Sequence, residues 1–300
     1  MSFSPNYNPA NMSPDYQVNF EEAFLRGQLD FRSPSVADTK KVMLWLIDVQ
    51  NDFVFPTGRL AVPNAPEDTG RTIQFVYNNV HKITQIAASL DTHVPFQIFF
   101  PSWWSNMQGQ HPAPFTAITA GDVDNGTWFP VTEGTWSRHY LNTLEVLAKK
   151  SLVIWPFHCM EGSDGRAMVP AMQEAIIYHS GARASQPTML PKGRIAKTEY
   201  YSMVEPEVKV PDHPEGNINA DFLDTLATFD LIYIGGQARS HCVLETMNSA
   251  RRYWPPETFA KLRFLDDCTS SITGFETATE IAIADHVGAG MQIAHSTDIL

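Results

Sequence analysis

Between residues 41 and 300 the chain alternates two patterns. Continuous apolar runs of six to nine residues are followed by stretches with an apolar stripe at helical spacing. VMLWLIDVQ (42–50), DLIYIGG (230–236), KLRFLDDC (261–268) and GMQIAHS (290–296) are runs of the first kind. A strand buried on both faces needs no polar side, so such runs predict parallel strands rather than half-solvated ones. SLVIWPFH (151–158) is a further run of the same appearance. RTIQFVYNNVHKITQIAASL begins with helical spacing. GRAMVPAMQEAIIYHSG, NADFLDTLATF, HCVLETMNSARRYW and ETATEIAIADHVG read as helices, the first with a glycine just past its end. Strands alternating with helices predict crossover units: an α/β fold of three layers, α/β/α, around a central and mostly parallel sheet of Rossmann-like kind.

Two stretches break the alternation. Residues 1–40, rich in Pro, Asn, Ser and Asp, read as an N-terminal arm wrapping the surface, with a short helix around FEEAFLRG, or equally as a disordered tail. Residues 91–145 hold Trp103, Trp104, Trp128 and Trp136 among many Pro and Gly, with little periodicity. A long irregular stretch within a compact domain is usually functional, and its expected place is over the carboxyl ends of the strands, where sheets of this type bind ligands.

Composition narrows the partners. A net charge of −12 and a pI near 5.2 argue against a nucleic-acid surface, which needs clustered Lys and Arg. No apolar run approaches the roughly 18 residues of a membrane span, and MSFSPNYNPANMSPDYQ lacks the basic and apolar halves of a secretory signal. Three cysteines, Cys159, Cys242 and Cys268, are too few and too odd for a disulfide framework and suit a reducing cytoplasm.

Chemistry collects at strand ends. Asp48 closes the first run. Cys242 follows Gly235-Gly236 at the start of a helix, where the positive end of the helix dipole would lower its pKa and expose a thiolate nucleophile. A buried, inert cysteine is the competing reading of that position taken alone. Lys192, in LPKGR, offers positive charge. Asp91 and His93 in LDTH point to the same side of an extended segment, and with His158 in IWPFHC they form a donor set suited to zinc or another divalent metal.

Together LIDVQNDF with GRLAVPNA after it, LDTH, HPAPFT, WPFHCMEGSDG, KGRIAKTEYYS and GGQARSHCV, in this order from about Lys41 to Met291, resemble the nicotinamidase branch of the isochorismatase-like cysteine hydrolases. The resemblance implies that residues 41–300 form a single hydrolase domain. It implies a triad of Asp48, Lys192 and Cys242, with Lys197 the other candidate for the lysine. It further implies a cis peptide joining Gln237 to Ala238, an oxyanion hole from the N–H groups of Ala238 and Cys242, and Phe53 and Trp155 against the substrate ring. The ligands of a divalent metal, zinc foremost, would be Asp91, His93 and His158. A further histidine usual in that branch is replaced here by Phe99 and Phe100, and His111 in HPAPFT reads as structural. The function implied is hydrolysis of a small carboxamide through a thioester, nicotinamide the first candidate, by a cytoplasmic homo-oligomer. A metal-independent hydrolase of the isochorismatase kind and a catalytically silent binding protein are the alternatives.

Overall fold

In the computed structural model, which describes residues 6–30, 33–148 and 150–300, six parallel strands form the central sheet. They are β1 (Val42–Ile47), β2 (Gln85–Asp91), β3 (Thr188–Lys192), β4 (Leu231–Gly236), β5 (Leu262–Leu265) and β6 (Gln292–Ala294), in the order β6-β5-β4-β1-β2-β3. The chain runs outward from β1 to β3, then crosses back to lay β4 beside β1. That reversal opens a crevice at the carboxyl ends of β1 and β4, the usual ligand site of such sheets.

Each face of the sheet is covered. Leu44 and Leu46 of β1, with Ile86 and Ala88 of β2, pack beneath α2 (Ala65–Asn79) and α3 (Pro170–Arg183). The alternate residues Met43, Trp45 and Ile47 pack on the other side with α4 (Ala220–Ala227), α5 (Leu244–Tyr253) and α6 (Glu276–Gly288). All six β1 side chains are buried, which is why the run carries no polar alternation. The preceding helix α1 (Phe20–Leu29) lies in the N-terminal stretch, capped by the Asn19 side chain on the Glu22 N–H, and docks on α3 through an Arg26–Glu174 ion pair. Among the described residues no helix is long and apolar enough to cross a membrane.

Three departures from the sequence pattern have physical causes. The strand β2 follows α2 after only a short turn, and its Ala87, Ala88 and Ser89 are small residues that carry little strand signal. The strand β3 sits at the sheet edge, where Pro191 is tolerated and alternate side chains are exposed. The run 151–158 does not join the sheet. Only Leu152–Val153 is extended, paired antiparallel with Ala117–Ile118, and its apolar side chains fill a third, separate core with Phe99, Phe100, Trp103 and Trp104. The irregular stretch therefore has a core of its own, which Leu60, Tyr201 and Ile272 touch from outside it.

Candidate active site

Four neighbouring parallel strands each deliver one ionisable group to the same end of the sheet. Asp48 follows β1, Asp91 ends β2, Lys192 ends β3, and Cys242 lies beyond β4. Register makes Asp91 and Lys192 direct neighbours and sets Ile47 beside Gly236. After Gly236 the peptide Gln237–Ala238 is cis, and a π-helical turn, Arg239–Val243, carries Cys242 into α5. The Ala238 carbonyl accepts the N–H groups of His241 and Val243 and so closes that turn.

Lys192 is the hub. Its Nζ lies 3.0 Å from Asp48 Oδ2, 3.2 Å from Asp91 Oδ1, 3.7 Å from Cys242 Sγ and 2.7 Å from the Tyr200 carbonyl. Burial would drive this lysine neutral, but Asp48 and Asp91 outweigh it and hold the ammonium charged well above the ordinary lysine range. Lys197, the other candidate, is at the surface, paired with Glu133 at 3.1 Å and stacked over Trp136. Ser89 orients Asp48: its hydroxyl donates to Oδ1 at 2.6 Å and accepts the Asp48 N–H at 3.1 Å. The backbone of Asp48 is left-handed (φ 46°), a turn that points its carboxylate across the strand ends.

The thiol departs from expectation. Burial, reinforced by Asp48 and Asp91, pushes Cys242 well above the usual thiol range, and Lys192 only partly offsets this. A helix terminus acts on an exposed sulfur, whereas here the walls exclude water and two carboxylates stand nearby. Burial also raises Asp48, against the pull of Lys192. Asp48 is thereby made a better base toward a resting thiol.

Asp91, His93 and His158, all buried, bring one donor atom each to within 4.8 Å of one another. His93 Nδ1 is 3.2 Å from the Gly193 carbonyl and His158 Nδ1 is 2.8 Å from the Pro156 carbonyl. A carbonyl only accepts, so both Nδ1 atoms carry the hydrogen and both Nε2 atoms present lone pairs in the neutral ring. Burial lowers the His93 pKa against the pull of Asp91, which favours that neutral form. The two Nε2 atoms converge on Asp91 Oδ2, at 2.8 and 3.6 Å. Three acceptors facing one another without a donor fit a cation, and the donor set N, N, O suits zinc. Gly193 (φ +85°) is required beside them, since a Cβ there would lie 2.7 Å from Asp91 Oδ1 and 2.9 Å from His93 Cε1. Phe99 and Phe100 pack edgewise on His93, at centroid distances of 4.8 and 5.5 Å, and supply an apolar wall rather than a fourth ligand.

Between Cys242 and His158 lies a narrow cleft whose walls include Phe53, Trp155, Tyr201, Ala238 and His241. Trp155 Nε1 donates to the Tyr201 hydroxyl at 2.9 Å, and the His241 ring meets Trp155 and Tyr201 edge-on. The Ser240 hydroxyl lies 2.9 Å from His241 Nδ1. His111 stands apart, on the Trp104 carbonyl. Cys159 and Cys268 are buried in the apolar core. Several members of the cavity wall escaped the sequence reading: Leu60, Tyr201, Ile272 and one carboxyl group, Glu199, buried, its pKa pushed up to about 8 by desolvation and by Asp91. Glu199 sits in the TEYYS stretch, where a carboxylate between motif residues gave no signal of its own.

No protein-family model matches the chain. A curated nicotinamidase from Saccharomyces cerevisiae is 24% identical over 207 residues, spanning 69% of this chain and 80% of that protein. The solved yeast nicotinamidase bound to the inhibitor nicotinaldehyde superposes with a TM-score of 0.59 at 18% identity, covering 85% of this chain and 99% of that one. A pyrazinamidase of Pyrococcus horikoshii in complex with zinc matches with a TM-score of 0.50 at 18% identity, over 85% and 99% of the two chains. Their fold is the one described above.

Proposed function

We propose that this chain, which has the isochorismatase-like fold, is an amidohydrolase that cleaves a small carboxamide to its acid and ammonia, nicotinamide being the first candidate. The observation that carries the reading is the position of Lys192, whose single ammonium touches Asp48, Cys242 and Asp91 and so joins a nucleophile and its base to the cation-fitting set. The curated relative's activity is of the same class.

The geometry supports the following sequence. A flat substrate enters between Phe53 and Trp155, its carboxamide carbon over Cys242. As sulfur attacks, the thiol proton passes to Asp48 and a C–S bond forms. The oxygen of the tetrahedral adduct takes the N–H groups of Ala238 and Cys242. The C–N bond breaks when Asp48 returns the proton to the departing nitrogen, which leaves as ammonia and leaves a thioester. Water then attacks the thioester carbon, giving its proton to Asp48. The C–S bond breaks, the acid departs, and the proton returns to sulfur. Lys192 stays charged throughout and steadies the developing thiolate. A divalent cation, zinc the first candidate, held by Asp91, His93 and His158 would supply a Lewis-acid centre for the ring nitrogen of the substrate.

Ammonia release from nicotinamide by zinc-loaded and chelator-stripped protein tests the reading, with Cys242→Ala as blank. Release that needs the metal and vanishes in the variant supports it. Absence of release from nicotinamide with either preparation removes nicotinamide and moves the search to other amides. Release that ignores the chelator removes the metal from the scheme.

A further inference from the structure

His158 and His93 lie 65 positions apart, yet one residue, Cys159, links them. The N–H of Cys159, directly after His158, donates to Asp52 Oδ2 at 2.6 Å, while the Cys159 carbonyl accepts the His93 N–H at 3.0 Å. Cys159 holds a left-handed backbone (φ 46°), a conformation that a side chain other than glycine adopts only when its surroundings enforce it. The thiol does not enforce it, being one member of the apolar core. The enforcing group is the carboxylate of Asp52. It is buried, and its other oxygen accepts the Arg59 N–H at 3.0 Å. The chain closes over it at Gly165, where a Cβ would lie 2.2 Å from Oδ2. Among the described contacts the Asp52 carboxyl thus accepts only backbone N–H groups, and one of those N–H groups belongs to the turn that brings the two histidine rings together edge-on at 4.6 Å.

We propose that Asp52 is a positioning residue for the cation site: by anchoring the left-handed turn at Cys159 it fixes His158 Nε2 and His93 Nε2 on Asp91. This rests on the zinc reading above. The mechanism gives Asp52 no contact with substrate, so its effect runs through metal affinity.

The test is zinc affinity, measured by competition with a chromophoric chelator, in wild type, Asp52→Ala, Cys159→Gly and the double variant. Loss of a partner bonded directly to a ligand typically weakens metal binding about 10- to 100-fold. Asp52 acts one residue removed, through the Cys159 N–H, and the loss expected for Asp52→Ala is at the lower end, about 10-fold. Glycine adopts the left-handed turn without enforcement. Cys159→Gly should therefore bind zinc nearly as wild type does, and added to Asp52→Ala it should restore most of the loss. Unchanged affinity in Asp52→Ala, or a loss that Cys159→Gly leaves in place, overturns the proposal. The thermal unfolding midpoint of the metal-free proteins guards against global damage. Where Asp52→Ala does not fold, the cycle is run on Asp52→Leu, which fills the same space and accepts from neither N–H group. Unchanged affinity there again overturns the proposal. Wild-type protein that binds no zinc would instead overturn the metal reading itself, a result distinct from any difference among the variants.

Discussion

The two halves of the site are held by different means. Asp48, Lys192 and Cys242 hang from strand ends, and sheet register alone brings Asp91 beside Lys192 and Ile47 beside Gly236. The histidines hang from the irregular insertion that begins after β2, where a single parallel bridge, His93 with Met160, replaces the extended ladder. Their positions come instead from buried polar side chains that grip backbone. Gln50 takes both the N–H and the carbonyl of Asp91, at 2.7 and 2.8 Å. Gln97 donates to the Gly193 carbonyl at 2.6 Å, sharing that oxygen with His93. Asp52 holds the turn after His158. A sheet positions chemistry through many equivalent hydrogen bonds, so losing one matters little. An insertion positions it through a few particular side chains, each of which matters.

That contrast breaks most visibly at the proposed nucleophile. Cys242→Ala should remove essentially all turnover, and Asp48→Asn should lower kcat by at least about 10³-fold, since members of a triad act as a unit. Both variants should fold, because the sheet that carries them is unchanged. Single-turnover assays with unfolding curves check this, and near-normal turnover in either would remove that residue from the triad.

Next in size is Lys192→Met. The lysine is almost fully buried between Asp48 and Asp91, so its removal leaves two carboxylates facing each other with no counter-charge. Breaking a buried pair of this kind costs about 3–5 kcal/mol. Urea unfolding of the metal-free variant should show a loss of that order, where a surface lysine such as Lys197 should show almost none.

Much of this was legible in the sequence, for reasons that separate the same two regions. The VMLWLI run announces a doubly buried strand because every one of its side chains is inside. The motif residues Asp48, Asp91 and Cys242 stand at run ends, where a parallel sheet exposes chemistry. In the insertion, LVIW (152–155) looks like a strand because its apolar residues are also inside, but they face a different core. Nothing local tells one burial from the other. Glu199, Gln50 and Asp52 were not legible either. Each acts on a group roughly 40 to 110 positions away, and a lone polar residue carries no spacing to read. The state of the Cys242 thiol was misjudged for a related reason: helix position is visible in sequence, but the water-excluding walls around it are not.

Glu199 gives a smaller, pH-dependent effect. Its folded pKa, about 8, lies above the ordinary carboxyl value, so the neutral form is the one the fold favours. The stability this confers is complete below about pH 4.5 and is lost as pH rises through 8. In metal-free protein Glu199→Gln should therefore be nearly neutral at pH 5 and stabilising by a few kcal/mol at most at pH 8.5. Urea midpoints at the two pH values decide it, and equal differences at both would mean that Glu199 is not held neutral.

The smallest expected effect tests the insertion's contribution to the cavity wall. Trp155 belongs to the core of the insertion, and its Nε1 donates to Tyr201, which follows β3 by a loop. That bond ties the wall built by the insertion to the wall built by the sheet. Trp155→Phe keeps an aromatic face toward the substrate and removes only the donor. A buried hydrogen bond of this kind is worth about 1 kcal/mol net, which is roughly fivefold in an equilibrium. In the proposed pose the ring lies against the substrate and not the reacting atoms, so a loosened wall should raise KM for the carboxamide by at most about fivefold while kcat stays within about twofold. A fall in kcat with KM unchanged would mean that the insertion reaches into the chemistry as well as into binding, and that the division of labour between the strand ends and the insertion is wrong.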